Sequence, residues 1–126
     1  MLPYKIHLAI VGSRTFTDKN RFNEWVTEAL TGWGATVKDI GNIISGGACG
    51  ADTLAEQYAR DNNLSLVVYR PDWKTHGRAA GILRNTDIVQ ASTHVIAFPS
   101  KVGRGTQDSI KKALASKKIT KVYYID

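Results

Sequence analysis

Ile43-Ile44-Ser45-Gly46-Gly47-Ala48-Cys49-Gly50-Ala51-Asp52 carries the strongest structural signal in this chain. A short apolar run enters two adjacent glycines, meets a third, and leaves as a helical pattern. Adjacent glycines admit positive φ and let another molecule approach bare main chain. The helix that follows offers unpaired N–H groups and the positive end of its dipole at the same place. Strand, glycine turn and helix start together form an anion site, most often for phosphate. A tight turn that binds nothing has the same composition, so the neighbouring segments must separate the two readings.

On the N-terminal side, Ile6 to Val11 is a compact apolar run broken only by His7, and it reads as a buried strand. It ends at Gly12-Ser13-Arg14-Thr15, a first glycine turn. Asp18 can cap a helix whose apolar face is Phe22, Trp25, Val26, Ala29, Leu30 and Trp33. Gly32 and Gly34 close that helix, and Val37 to Ile40 is ambiguous. On the C-terminal side, a helix buries Leu54, Ala55, Tyr58 and Ala59, and Leu64 to Tyr69 is a third strand ended by Pro71. Asp72 to Gly77 is a polar connection carrying Trp73 and His76. A helix from about Arg78 to Gln90 is expected to turn Ile82, Leu83 and Val89 inward. Thr93 to Phe98 is a fourth strand, and Pro99 to Gly105 holds the third glycine turn, Gly103-Arg104-Gly105. Ser109 to Ser116 is helical on Ile110, Ala113 and Leu114, and Lys121 to Ile125 is a last strand.

Strands alternating with helices predict an α/β domain with a mainly parallel sheet of about five strands, one domain over residues 1–126. Ligands on such sheets bind at the carboxyl ends of the strands. Gly12-Ser13, Gly46-Gly47 and Gly103-Arg104-Gly105 follow strands one, two and four, so a parallel sheet puts all three on one rim. Three such turns on one rim favour a phosphate-bearing ligand over an empty turn.

Net charge is +6 among 126 residues, which favours acidic partners, either nucleic acid or phosphorylated small molecules. Five of the seventeen basic residues (Lys111, Lys112, Lys117, Lys118, Lys121) fall in or just after the last helix and read as a solvated face. A single cysteine, Cys49, allows no internal disulfide and suits a reducing, cytoplasmic setting. No apolar run approaches the ~20 residues of a membrane span, and the start Met1-Leu2-Pro3-Tyr4-Lys5 does not read as a leader.

No turn fits the P-loop pattern, and Gly46-Gly47-Ala48-Cys49-Gly50 departs from the dinucleotide fingerprint. His7, His76 and His94 are scattered, so no metal or cofactor is expected. Cys49 has no histidine near it in sequence and reads as a small turn residue, since a nucleophilic cysteine needs a positioned base. Asp52 can stabilise the dipole of its helix or accept from a ribose hydroxyl. Arg84-Asn85 can lie on the surface or offer bidentate recognition of phosphate. Trp73 can cover the core or stack on a base.

Four motifs together resemble the SLOG superfamily: Val11-Gly12-Ser13-Arg14, Ser45-Gly46-Gly47-Ala48-Cys49-Gly50-Ala51-Asp52, Ala80-Gly81-Ile82-Leu83-Arg84-Asn85 and Gly103-Arg104-Gly105-Thr106. That superfamily includes the lonely-guy nucleotide hydrolases, the DNA-processing DprA proteins and small stand-alone YspA/YpsA-related domains of bacteria and phages. The resemblance is nearest to the small YspA-like group. It implies a Rossmann-like three-layer domain with a nucleotide or ADP-ribose-like ligand on the glycine rim, sensed or sequestered there. Its ligand-binding set here is Gly12, Ser13, Arg14, Ser45, Gly46, Gly47, Asp52, Trp73, Arg84, Asn85, Gly103, Gly105 and Thr106.

The lonely-guy enzymes cleave a ribose–base bond with a helix arginine and the glutamate of a P-G-G-x-G-T-x-x-E motif. Arg84 matches the arginine, but Ser109 stands in the glutamate's place and Asp108 comes one residue early. One residue on a helix rotates a side chain by about 100°. Arg84 and Asp108 are therefore the catalytic pair only under a second reading, a nucleoside-monophosphate phosphoribohydrolase. A third reading is single-stranded DNA binding of the DprA kind. Against it, the sequence shows no interleaving of aromatic and basic residues. The expected partners are a nucleotide-derived small molecule first, weak nucleic-acid binding second, no membrane, and a second copy of the chain. Family members often pair through helices flanking the site, and three tryptophans in a small domain suggest apolar surface to cover. Light scattering at tens of micromolar checks that last expectation: a homodimer or higher homo-oligomer is expected, and a monomer overturns it.

Overall fold

The computed structural model describes residues 2–126. In chain order they form β1 (Ile6–Gly12), α1 (Lys19–Gly32), β2 (Ile40–Ser45), α2 (Ala51–Asp61), β3 (Ser65–Val68), α3 (Trp73–His76), α4 (Ala80–Ala91), β4 (His94–Phe98), α5 (Gly105–Ala115) and β5 (Ile119–Val122). The strands build one sheet in the order β3-β2-β1-β4-β5, with every pairing parallel. The fold is the three-layer α/β arrangement expected from the alternation, and its sheet is parallel throughout. Strand order reverses between β1 and β4, so the carboxyl ends of these two strands flank the crevice where such sheets take ligands.

The layers follow from the period of two along each strand. Ile6, Leu8 and Ile10 of β1, with Ile96 and Phe98 of β4, pack against α1 and α2. Ala9 and Val11, with Val95 and Ala97, pack against α4 and α5. Both faces of the central strands are covered, which is why these strands read as unbroken apolar runs. Phe98 is the hub of an aromatic cluster, with Phe16 at 5.0 Å and Phe22 at 5.2 Å between ring centroids. Trp25 and Trp33 are half-buried against this core. Asp18 caps α1 by accepting from the Arg21 N–H at 3.1 Å, and Gly34 takes φ +71° just beyond the helix.

Several boundaries differ from the sequence reading, each for a local reason. Val37–Asp39 is a 3₁₀ turn closed by Thr36 and Asp39 in a reciprocal cap, so β2 begins only at Ile40. The polar connection after β3 contains a short helix, α3, capped by Asp72. Ile82 and Leu83 are exposed rather than inward. The buried face of α4 is set by Ala80, Asn85, Ile88 and Val89, and at ~100° per residue residues 82 and 83 fall outside it. Leu114 is likewise exposed, because the buried face of α5 is centred on Ser109, Ile110 and Ala113. The last strand starts at Ile119, and its ladder with β4 is extended by Tyr123 donating to Ala97 O and Ile125 to Pro99 O.

His94 is enclosed at the start of β4, 2% exposed, with Trp33 at 4.7 Å between ring centroids and its Nδ1 2.7 Å from Thr93 Oγ1. Burial depresses its pKa below the ordinary histidine value. The unfolded chain therefore binds a proton before the folded one does. Stability from this source is complete above the unfolded histidine value of about 6.5 and is lost as pH falls from there towards the depressed folded value. Urea unfolding between pH 7 and 5 should show stability dropping with acidification. His94→Gln, which cannot titrate, should flatten that slope; an unchanged slope overturns the assignment.

Candidate functional site

Three chain segments meet on the carboxyl rim of the sheet. Gly12 ends β1 in register with Phe98 at the end of β4. Ser13 N–H donates to Phe98 O at 2.9 Å, and Ser13 O accepts from Ala51 N–H at 3.1 Å. The first turn is thereby pinned both to β4 and to the start of α2. Gly50, at φ +74°, lies so close to the Ser13 and Arg14 main chain that a Cβ there has no space. The first and second glycine turns are thus in direct backbone contact.

The second turn is held from inside and from outside. Ser45, fully buried, accepts from Gly47 N–H through its hydroxyl at 3.3 Å. Asp52, 6% exposed in the first turn of α2, accepts from Ala48 N–H at 3.0 Å. Burial raises the Asp52 pKa, and the opposing pull of the Ala48 N–H and the Arg84 charge does not cancel it. From outside, Arg84 donates to Gly46 O at 2.7 Å and Arg70 donates to Gly47 O at 3.1 Å.

Arg84 and Asn85 then join the second turn to the third. Arg84 Nε donates to Asn85 Oδ1 at 3.0 Å, and Asn85 Nδ2 donates to Asp108 Oδ2 at 3.1 Å and to Gly105 O at 3.4 Å. Lys112 closes the series, 2.9 Å from Asp108 Oδ2 and donating to Ile82 O at 2.7 Å. Desolvation pushes the Asp108 pKa up, but the bonds from Lys112 and Asn85 and the charges of Lys112 and Lys111 outweigh it, so the carboxyl sits below its usual range. On the third turn, Ser100 is buried and accepts from the Val102 and Gly103 N–H groups at 3.2 Å. Thr106 lies half-buried in the first turn of α5.

The rim therefore gathers Gly12, Ser13, Arg14, Ser45, Gly46, Gly47, Asp52, Arg84, Asn85, Gly103, Gly105 and Thr106 around the ends of neighbouring strands. Trp73 lies at the β3 side, 55% exposed, near Gly81 of α4. Arg14 and Arg104 are exposed; burial lowers the Arg84 pKa, the charge of Asp52 opposes this, and the charge of Arg14 adds a smaller lowering. Sequence reasoning missed Arg70 and Ser100. Both stand two positions beyond the end of a strand, as Arg14 does after β1, and that shared offset was the available signal. Among the described residues, no group of three or more His, Cys, Asp or Glu could hold a metal ion.

Comparison with known proteins adds three findings. Residues 6–76 match the family described as YspA, cpYpsA-related SLOG. The Gene 61 protein of Mycobacterium phage D29 is 31% identical over 116 residues, covering 82% of this chain and 85% of the phage protein. DNA processing protein A of Streptococcus pneumoniae superposes with a TM-score of 0.72 at 17% identity, and a Helicobacter pylori structure, described as showing a single-stranded DNA binding mode of the same protein, with 0.68 at 19%. Each superposition covers 94% of this chain, but only 50% and 65% of those two chains. At that identity the likeness concerns the fold.

The joint between the turns is testable without a ligand. Asn85→Ala removes the donor to Gly105 O and Asp108 and the acceptor of Arg84. Unpairing partly buried groups should cost about 1–3 kcal/mol in urea unfolding. Amide hydrogen exchange at Gly46–Ala48 should also accelerate; unchanged exchange there would show that Arg84 holds the loop without Asn85.

Proposed function

Because the chain belongs to the YspA, cpYpsA-related SLOG family, we propose that its glycine rim binds nucleotide phosphates, and takes them as part of a single strand of DNA. The observation that carries the phosphate is the placing of two arginines at the second glycine turn: Arg84 reaches the Gly46 carbonyl at 2.7 Å, and the main chain of the exposed Arg14 lies against Gly50. An anion bound beside them gains charge-assisted contacts.

Single-stranded DNA ranks ahead of the free nucleotide expected from the sequence because of what surrounds Trp73. Its ring is exposed, and its sequence neighbours Arg70, Lys74 and Arg78 are exposed as well, three cations against the single carboxylate Asp72. An aromatic face among cations is the combination that stacks a base while neutralising its backbone. The Helicobacter pylori neighbour, whose description names single-stranded DNA, supports the same reading. A mononucleotide or ADP-ribose-like ligand remains the second reading, favoured by the buried Asp52 beside Gly46 as an acceptor for a ribose hydroxyl. Hydrolysis is not proposed, since Asp108 is held by Asn85 and Lys112 rather than poised over a sugar.

Titrations of a labelled oligothymidylate, AMP and ADP-ribose at two salt concentrations separate the readings. The oligonucleotide should bind more tightly, with a slope of log K on log salt near −2, as for three phosphates at about −0.7 each. Arg14→Ala, an exposed change, should weaken binding with the fold intact, and Arg84→Ala should cost roughly 1.5–3 kcal/mol. AMP should release no free base. Saturable AMP binding with none to the oligonucleotide overturns the ranking; sustained base release lost in Asp108→Asn makes the protein an enzyme.

A further inference from the structure

We infer that the strand crosses the rim from Trp73 to Tyr124, with an aromatic stacking position at each end; the inference rests on the single-strand reading above. β3 is one edge of the sheet and β5 the other. Trp73 follows β3 and Tyr124 follows β5, so the two rings mark opposite ends of the same rim. They also lie on the same side of the sheet. Trp73 is beside Gly81 at the start of α4, and the Tyr124 hydroxyl accepts from Gln107 Nε2 in the first turn of α5 at 3.3 Å. The helices α4 and α5 cover one face together.

The Tyr124 end has the features of a binding groove. Lys101, Val102, Gly103, Arg104, Gln107 and Tyr124 line an open surface depression of about 600 Å³. The Tyr124 ring is 49% exposed, and Lys101 and Arg104 are exposed beside it. Asp126, an exposed carboxylate near them, accepts from the Lys101 N–H at 3.0 Å. One end thus sets an exposed ring beside Lys101 and Arg104, the other carries an exposed ring with Arg70, Lys74 and Arg78 close to it in sequence, and Arg84 belongs to the second turn between them. This is a track rather than a single pocket.

The sheet sets the length of that track. Four inter-strand spacings separate β3 from β5, about 19 Å. At the ~3.4 Å rise of a stacked strand this accommodates roughly six nucleotides, and fewer when the strand is extended.

Oligothymidylates of two, four, six and twelve nucleotides test the length. Affinity for the intact protein should climb steeply to about six and then level off. Tyr124→Ala and Trp73→Ala should each weaken the six-nucleotide strand about tenfold, as loss of one stacked base implies, whereas Tyr124→Phe keeps the ring and should bind like the parent chain. Both positions are exposed, and circular dichroism checks that each variant is folded. A dependence already flat at two nucleotides, or full affinity of Tyr124→Ala for the six-nucleotide strand, overturns the track while leaving single-strand binding in place. Binding of AMP with none to any oligonucleotide fails the single-strand reading and the track together.

Discussion

At Gly12 the main chain of the middle strand runs so close to its neighbours that a side chain has no room. A Cβ there would lie 2.7 Å from the Cβ of Ala51 and 2.9 Å from the Cβ and the carbonyl oxygen of Phe98. All three contacts are with atoms whose positions the main chain fixes. The end of β1, the end of β4 and the start of α2 are pressed together at one point because that residue is glycine. Ser13 then bonds to both partners through its main chain, N–H to Phe98 and carbonyl to Ala51. The main chain of Arg14, which follows, lies against Gly50 of the second turn.

The electrostatics of the rim follow from the same economy of space. Acidic residues are present at the carboxyl ends of the strands, but their oxygens are turned to internal donors. Asp18 accepts from Arg21 N–H, Asp52 from Ala48 N–H, Asp72 from Thr75 N–H and Asp126 from Lys101 N–H. Asp108 is held by Asn85 and Lys112. Of these carboxylates only Asp52 is buried; Asp18, Asp72 and Asp126 are exposed, and their hydrogen bonds orient rather than remove their charge. The guanidinium groups of Arg14 and Arg104 are exposed as well. The net charge of +6 favours an anionic ligand over longer range.

The fold was readable because its signals are local. Apolar runs ended by glycine mark β1 and β2, and the three turns had to share a rim once the strands were parallel. Errors arose where a residue's environment is set by a distant element. Ile82 and Leu83 are apolar at helical spacing, yet the face of α4 is chosen by Ile88 and Val89 against Ile44 and Val95, which no local period reveals. Arg84 was visible as a candidate, but its bond to the Gly46 carbonyl spans 38 positions of sequence. Arg70, Trp73, Lys74 and Arg78 are close in sequence, but Arg70 lies two positions beyond β3, Trp73 opens α3 and Arg78 lies in a 3₁₀ turn, so no single period groups them.

The hydrogen bonds around Asp108 bear on what this rim can do to a bound nucleotide. Cleaving a glycosidic bond requires a carboxylate free to face an oxocarbenium-like ribose or to take a proton from water. Asp108 has one oxygen shared between the Asn85 amide and the Lys112 ammonium, and its pKa is held down by them. A base at a lowered pKa is a weak proton acceptor, and moving it would unpair the Asn85 donor and a lysine charge at once. Ser109, in the position the hydrolases fill with glutamate, is buried and carries no charge. What the arrangement does well is connect: a phosphate drawing Arg84 off Gly46 O also pulls on Asn85, on Gly105 O and on the start of α5. The same residues join the second and third glycine turns into one unit.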